Sequence, residues 1–306
     1  MTYLSRRRFL SIAAASAAFS AGSGLRADKR VSWRGVALGA PVSMRLDGMS
    51  DAEAGPIIAA VEAELSRLEN IFSLYRSASE VSRLNAEGRL AQPSPELLEV
   101  LSLSASLHKA TGGAFDPTIQ PLWQAMAQGG SAQEIAQARD LIGFDAVRFD
   151  VDDVWFDGKG ARALTLNGIA QGAITDRIAA LLRAQGLRNV LIDMGEVAAI
   201  GPRKDGTPWQ VGLAAPGGAV VQRITLADRA VATSASDAMM LNPAERQGHI
   251  LAPRGGPVAH RLVSVSATQA AVADGLSTAL CLVPSGAPTE RALAQFGDAR
   301  LELRQG

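Results

Sequence analysis

The sequence has little cysteine and no excess of charge of either sign. One cysteine, Cys281, occurs among 306 residues, so an intramolecular disulfide is excluded. It lies in the apolar stretch ALCLV and is expected to be a core side chain. The 30 basic and 30 acidic residues balance, so no global field directs the chain to nucleic acid, and any phosphate recognition has to be local. We therefore expect no nucleic-acid partner.

The N-terminus lacks a hydrophobic run long and apolar enough to span a bilayer comfortably. Residues 1–27 join SRRRFL, from Ser5 to Leu10, to an Ala/Ser-rich stretch that ends in small residues. This order resembles a twin-arginine signal, whose machinery is associated with the export of folded proteins. A basic amphipathic helix or membrane anchor is the alternative. We expect cleavage near Ala27, one mature domain over residues 28–306 and a periplasmic location.

Apolar residues make up 47% of the chain, which is ample for a substantial core. An initial strand pair precedes a helix over 52–70, and Ser94-Pro95 and Ser131 with Glu134 are start signals of two more helices. The later patterns predict a hairpin over 147–158, a strand ALTL over 163–166, a helix over 170–186 with Gly186 at its C-terminal end, five strands and a last helix over 288–297. Early helices and late, interleaved strands favour an α+β fold, a mixed-sheet α/β/α sandwich.

The stretch AVADGLSTAL, residues 271–280, places three oxygen-bearing side chains in an otherwise apolar helix. Asp274, Ser277 and Thr278 are spaced i, i+3, i+4 and so share one helix face. Such oxygen ligands suit a hard cation such as Mg²⁺. The alternative is an aspartate that favours the helix dipole, with the two hydroxyls bonded back to the helix. The residues alone leave both interpretations open.

Five stretches, in this order along the chain, resemble the FAD:protein FMN transferases, the ApbE family. They are FSLYRSASEVSRLN (72–85), TGGAFDPTIQPLW (111–123), LNGIAQGAITDRI (166–178), GHILAPRGG (248–256) and AVADGLSTAL (271–280). The resemblance implies an ApbE-like fold and a magnesium-dependent enzyme. Such an enzyme cleaves FAD, attaches FMN to a threonine or serine of an acceptor flavoprotein outside the cytoplasm, and releases AMP.

The resemblance also implies roles for particular residues. His249 would take the proton of the acceptor hydroxyl, although a lone histidine at a strand edge is otherwise more often structural. The metal ligands would be Asp274, Thr278, the intermediate Ser277 and the backbone carbonyl of Ala170. The residues implied to contact FAD are Tyr75, Ala114, Phe115, Asp116, Asn167, Gly168, Gln171 and Ile250. Gly168 and Gly172 would allow the backbone to approach phosphate closely.

The sequence departs from the family pattern at several motif positions. Gln171 stands where the family commonly has lysine, which removes a positive charge from the phosphate side. Ala235 and Ala252 replace other usual motif residues, and Met194 stands where a glycine-glycine-acid turn usually begins. The alternatives are a non-catalytic flavin-binding maturation factor and an FAD pyrophosphatase with water as acceptor. Twin-arginine export resembles the branch associated with nitrous-oxide respiration, whose acceptor would be a membrane-bound respiratory flavoprotein.

Overall fold

The computed structural model describes residues 30–158, 160–242 and 247–306. The predicted signal peptide, residues 1–27, lies outside these ranges. The helices of the described residues are α1 (Asp51–Phe72), α2 (Glu80–Glu87), α3 (Pro95–Ala110), α4 (Gln120–Ala127), α5 (Ala132–Asp140), α6 (Ala170–Ala184), α7 (Ala270–Leu280) and α8 (Ala287–Ala294). None of these helices combines the length and the apolar character needed to cross a membrane.

The strands build one large sheet and three small ones. Their bounds are β1 (Arg30–Ala37), β2 (Ala40–Asp47), β3 (Arg89–Ala91), β4 (Val147–Phe149), β5 (Asp153–Phe156), β6 (Val190–Asp193), β7 (Val197–Ile200), β8 (Trp209–Ala214), β9 (Val220–Leu226), β10 (Ala230–Ala235), β11 (Met240–Asn242), β12 (Gln247–Gly248), β13 (Leu262–Ala267) and β14 (Arg300–Gln305). The large sheet has the order β1-β2-β6-β7-β10-β13-β14, and each of its described pairings is antiparallel. The small sheets are β3-β5-β4, β8-β9 and β11-β12.

The two faces of the large sheet are covered differently. Alternate residues along a strand point to opposite faces, so Ile192 of β6 and Val263 of β13 join the core formed with the helices. Leu191 of β6 and Val231 of β10 point the other way and pack with Trp209 of β8. The α+β class is therefore confirmed. Helices cover one face, whereas the β8-β9 hairpin covers the face on which an α/β/α sandwich would place a second helical layer.

Several of the predicted helix ends are confirmed by their hydrogen bonds. The Ser94 hydroxyl accepts the Leu97 N–H at 3.2 Å where α3 begins, and Ser131 and Glu134 form a reciprocal capping box at α5. Gly186 follows α6 with a φ of +82°, the left-handed conformation that glycine adopts without a steric penalty.

The junction of α6 and α7 brings the candidate site residues together. A Cβ atom at Gly172 would lie 2.5 Å from the Ala270 carbonyl oxygen, so only glycine lets the two helices approach this closely. The Asp176 carboxylate accepts the N–H groups of Ala270 and Ala271 at 2.8 and 2.9 Å, which satisfies donors at the start of α7. The missing side chain of Gly172 thus makes room for α7, and its approach to phosphate stays a prediction.

The predicted strand ALTL was wrong. Residues 163–166 have no regular structure, because their backbone groups bond to other parts of the chain. The Leu164 N–H donates to the Asn85 side-chain oxygen at 2.7 Å, the Leu164 carbonyl accepts from the Asn85 amide at 2.8 Å, and the Thr165 N–H donates to the Pro117 carbonyl at 2.8 Å. Helices α2 and α4 and strands β3, β7, β11, β12 and β14 were not predicted.

Candidate functional site

A cavity of about 630 Å³ lies where the helix ends and loops of the domain converge, which is a usual size for a small-molecule site. Its walls are formed by the loop that precedes α4, the α4 helix, the turn that precedes α6, the tip of the β8-β9 hairpin, the end of β10, the loop after β12 and one face of α7. All five family-like stretches contribute to this wall.

Asp274 and Thr278 of α7 line the cavity, but Ser277 does not. Asp274 is 3% exposed, and one of its carboxylate oxygens accepts the Gly172 N–H at 3.0 Å. The Ser277 hydroxyl is buried, donates to the Asp274 backbone carbonyl at 3.0 Å and lies 2.7 Å from the Ser234 hydroxyl. The Thr278 hydroxyl lies 3.2 Å from the same Ser234 hydroxyl. The structure therefore separates the three side chains: Asp274 and Thr278 line the cavity, and Ser277 does not.

The cavity floor is strongly acidic. Glu196, which directly precedes β7, lines the cavity and is 5% exposed. Burial raises the pKa of the Asp274 carboxyl to about 7. Burial and then the charges of Asp274 and Asp193 raise the pKa of Glu196 well above its usual range, and burial raises the pKa of Asp193 to about 6. A cation in the cavity would favour the ionised form of these groups.

The loop before α4 is held in shape by its own polar groups. Residues 114–116 all line the cavity. The Asp116 carboxylate accepts the N–H and the hydroxyl of Thr118 and lies 3.5 Å from His108 Nδ1. His108 Nδ1 in turn donates to the Phe115 carbonyl at 2.9 Å. These bonds fix the backbone of the loop. Asp116 and His108 therefore stabilise the loop even when no ligand is bound.

The turn before α6 and the first two residues of α6 place three of their four candidate residues on the cavity wall. Asn167, Gly168 and Gln171 line the cavity, whereas Ala170 is buried at the first position of α6 and does not. A Cβ atom at Gly168 would lie 3.1 Å from the Thr278 side chain, so glycine lets this turn rest against α7.

His249 and Ile250 reach the cavity just after β12, and Tyr75 lies at its mouth, 54% exposed. The His249 N–H donates to the Met239 carbonyl at 3.0 Å. Burial lowers the pKa of the His249 imidazole, which keeps the ring neutral at pH 7. Its Nδ1 atom is buried and has no hydrogen-bond partner among the described residues.

The lining contains carboxylates but, in the described part of the chain, no lysine or arginine. Those residues also contain no group of three or more His, Cys, Asp or Glu side chains that could hold a metal ion. The oxygen atoms of Asp274 and Thr278 on this wall are the kind of ligand that suits a hard cation such as Mg²⁺.

Two buried polar residues of the cavity wall were missed by the sequence reasoning. Glu196 follows the turn Met194-Gly195, and Gln120 lies within TGGAFDPTIQPLW; both are almost fully buried and line the cavity. Both lie inside or beside segments that are compared with the family pattern, and this position was the sequence signal that could have identified them. A buried position cannot be inferred for a glutamate or glutamine, because these residues are mostly exposed.

Comparisons with known proteins agree with the geometry. The family model of the ApbE family matches residues 38–298. A protein from Haemophilus influenzae named FAD:protein FMN transferase is 28% identical over 245 residues, covering 72% of this chain and 70% of that protein. The crystal structure of the Pseudomonas stutzeri flavinyl transferase ApbE in its apo form has a TM-score of 0.74 at 29% identity, covering 89% of both chains. The flavin transferase ApbE of Vibrio cholerae also gives 0.74, at 26% identity, covering 88% of this chain and 90% of that one.

Proposed function

Because this chain belongs to the ApbE family, we propose that it is an enzyme that cleaves FAD and attaches FMN to a threonine or serine hydroxyl of an acceptor flavoprotein. The observation that carries the proposal is the convergence of five separate family-like stretches on one cavity. The name FAD:protein FMN transferase of the relatives supports the same reaction.

Mg²⁺ fits the acidic wall and is proposed as the metal. Asp274 and Thr278 would hold it, with the Ala170 carbonyl as the further ligand that the family resemblance implies. The bound ion would neutralise charge on the pyrophosphate, which meets carboxylates and no described basic side chain in this cavity. Ser277 is proposed to position this pair, since its hydroxyl bonds to the Asp274 carbonyl.

The reaction is a displacement at phosphorus. The acceptor oxygen forms a bond to the phosphorus of the FMN half, the bond from that phosphorus to the bridging oxygen breaks, and AMP leaves with that oxygen. The acceptor hydroxyl must lose its proton as the new bond forms. A neutral imidazole can take it, and the lowered pKa of His249 keeps that residue in the accepting form.

The binding surface for FAD is proposed to include the motif residues that line the cavity. These are Tyr75, Ala114, Phe115, Asp116, Asn167, Gly168, Gln171 and Ile250. All of them are uncharged except Asp116, which is bonded within its own loop. Orientation of FAD would thus depend on shape and on neutral hydrogen bonds.

We also propose that the protein acts in the periplasm, on a membrane-bound respiratory flavoprotein. The order Ser5-Arg6-Arg7-Arg8-Phe9-Leu10 supports export by a twin-arginine route. Replacing both Arg6 and Arg7 by lysine should leave the protein in the cytoplasm, as measured by cell fractionation. Periplasmic recovery of that variant in the same amount as the wild type would contradict this export route.

The function is tested by mass spectrometry of a candidate acceptor incubated with the mature protein, FAD and Mg²⁺. The expected product is an acceptor threonine or serine that carries the mass of FMN, with one AMP released for each FMN attached. FMN and AMP released with an unmodified acceptor would indicate the pyrophosphatase instead. FAD binding with neither product would indicate the maturation factor.

A further inference from the structure

Gln120 is the most deeply buried glutamine that lines the cavity. It is 6% exposed, and its side-chain amide forms no hydrogen bond with the described residues. The amide is not among the fully buried side-chain groups that lack a partner, and Gln120 lines the cavity, so the amide opens onto the cavity. Its partner is therefore water when the cavity is empty and a polar group of the ligand when the cavity is filled.

The fold holds Gln120 in this position firmly. The Asp116 side chain caps the turn Pro117–Ile119 by accepting the Thr118 N–H at 2.9 Å, and the Ile119 N–H donates to the Asp116 carbonyl at 3.2 Å. Gln120 follows directly as the first residue of α4. Its backbone is thus fixed before a ligand binds. A side chain on a fixed backbone loses less freedom on binding, which favours selective binding.

The neighbouring residues on α4 indicate the chemistry of that ligand. Trp123 and Gln124 lie one helical turn after Gln120, on the same face, and also line the cavity. An indole offers a flat apolar surface, and a primary amide offers a donor and an acceptor side by side. This combination fits an uncharged fused heteroaromatic ring whose edge carries an adjacent donor and acceptor.

We propose that Gln120 is a specificity-determining residue whose amide pairs with the donor-acceptor edge of a ring of the substrate. The inference rests on the proposed function, under which FAD supplies two such rings, the flavin and the adenine. Both edges can pair with a primary amide, as glutamine does with adenine in nucleic acids. The effects of the substitution on the binding of FMN and of ADP identify the ring that Gln120 contacts.

The test compares Gln120→Met, which keeps the size of the side chain and removes its amide, with Gln137→Met. Gln137 is exposed on α5 and does not line the cavity. The dissociation constants of FAD, FMN and ADP are measured for the mature protein in the presence of Mg²⁺. Gln120→Met should raise the dissociation constant of FAD by about tenfold to a hundredfold. It should weaken the binding of either FMN or ADP to a similar degree and leave the dissociation constant of the other unchanged. Gln137→Met should change none of the three dissociation constants.

Thermal unfolding of the ligand-free variants separates recognition from structure. Replacing an amide that opens onto the cavity, and bonds to none of the described residues, with an apolar group of equal size should not lower the melting temperature. A lower melting temperature for Gln120→Met than for Gln137→Met, equal weakening of FMN and ADP, or unchanged FAD binding would each overturn the inference. In the last case, wild-type transfer of FMN would leave the proposed function standing. A wild-type protein that binds none of the three probes would overturn both.

Discussion

Replacing Asp274 by asparagine shows separately what the buried carboxylate costs in folding stability and what it contributes to FMN transfer. The amide oxygen of asparagine can still accept the Gly172 N–H, which donates to Asp274 at 3.0 Å. Burial raises the pKa of the Asp274 carboxyl from 3.8 to about 7, and one pKa unit corresponds to about 1.36 kcal/mol. Ionising this carboxyl in the metal-free fold thus costs about 4 kcal/mol. We expect Asp274→Asn to raise the free energy of unfolding at pH 8 by about 2–4 kcal/mol.

The sign of the pH dependence follows from the direction of the pKa change. The folded protein holds the Asp274 proton to higher pH than the unfolded chain does. The penalty is therefore absent below pH 3.8, grows as the pH rises towards 7 and is complete above pH 7. The stability difference between the variant and the wild type should be small near pH 4.5 and largest at pH 8.

The assay is urea unfolding between pH 4.5 and 8 with EDTA present, repeated with Mg²⁺. Mg²⁺ should stabilise the wild type and not Asp274→Asn, and FMN transfer by the variant should be lost. Asp152→Asn is the control, because Asp152 is exposed in the β4-β5 turn. An Asp274→Asn protein less stable than the wild type at pH 8, or a stability difference independent of pH, would refute the reasoning.

Three further predictions concern the base, the helix junction and the phosphate side. His249→Ala should slow transfer by about a hundredfold or more with FAD affinity unchanged. At saturating Mg²⁺, wild-type transfer should be as fast at pH 6.5 as at pH 7.5, because burial lowers the imidazole pKa; loss of half the rate at pH 6.5 would contradict this. Gly172→Ala should lower the free energy of unfolding by about 2–4 kcal/mol, because its Cβ would lie 2.5 Å from the Ala270 carbonyl oxygen. Gly297→Ala, whose Cβ would meet no atom within 4 Å, is the control and should change this free energy by less than about 0.5 kcal/mol. Equal effects of the two would count against the close approach. Gln171→Lys should tighten FAD binding several-fold in a titration, because the described cavity wall has no basic side chain; unchanged affinity would show that the phosphate is bound elsewhere.

Elements with strong local signals could be predicted from the sequence. Ser94 and Ser131 mark the starts of α3 and α5 because an N-terminal cap depends only on residues within the next turn. Strand β7 was missed since its sequence, VAAI, is half alanine, a residue depleted in strands. Strand β14 was missed although Leu301 and Leu303 alternate with charged residues, the pattern of an edge strand with one side facing solvent.

The local sequence pattern gave a wrong prediction where a distant side chain, instead of a neighbouring strand, forms hydrogen bonds with the backbone. The residues of ALTL have the composition of a strand, but Asn85, which lies 79 residues before Leu164, supplies both of its backbone hydrogen bonds. Propensity describes how a residue fits a pleated surface and contains no information on such a partner. The burial of Gln120 and Glu196 was hidden from the sequence for the same reason.

The sequence by itself determined that Asp274, Ser277 and Thr278 occupy neighbouring positions on one helix, because helical periodicity is a local property. It also determined the family through the five ordered stretches, later matched over residues 38–298. Only the tertiary structure decided which of the three side chains line the cavity. Ser277 turns to Ser234, 43 residues before it, and Asp274 accepts an N–H from 102 residues before it. The direction of a helix face is fixed by what packs against it, and those partners are distant in the chain.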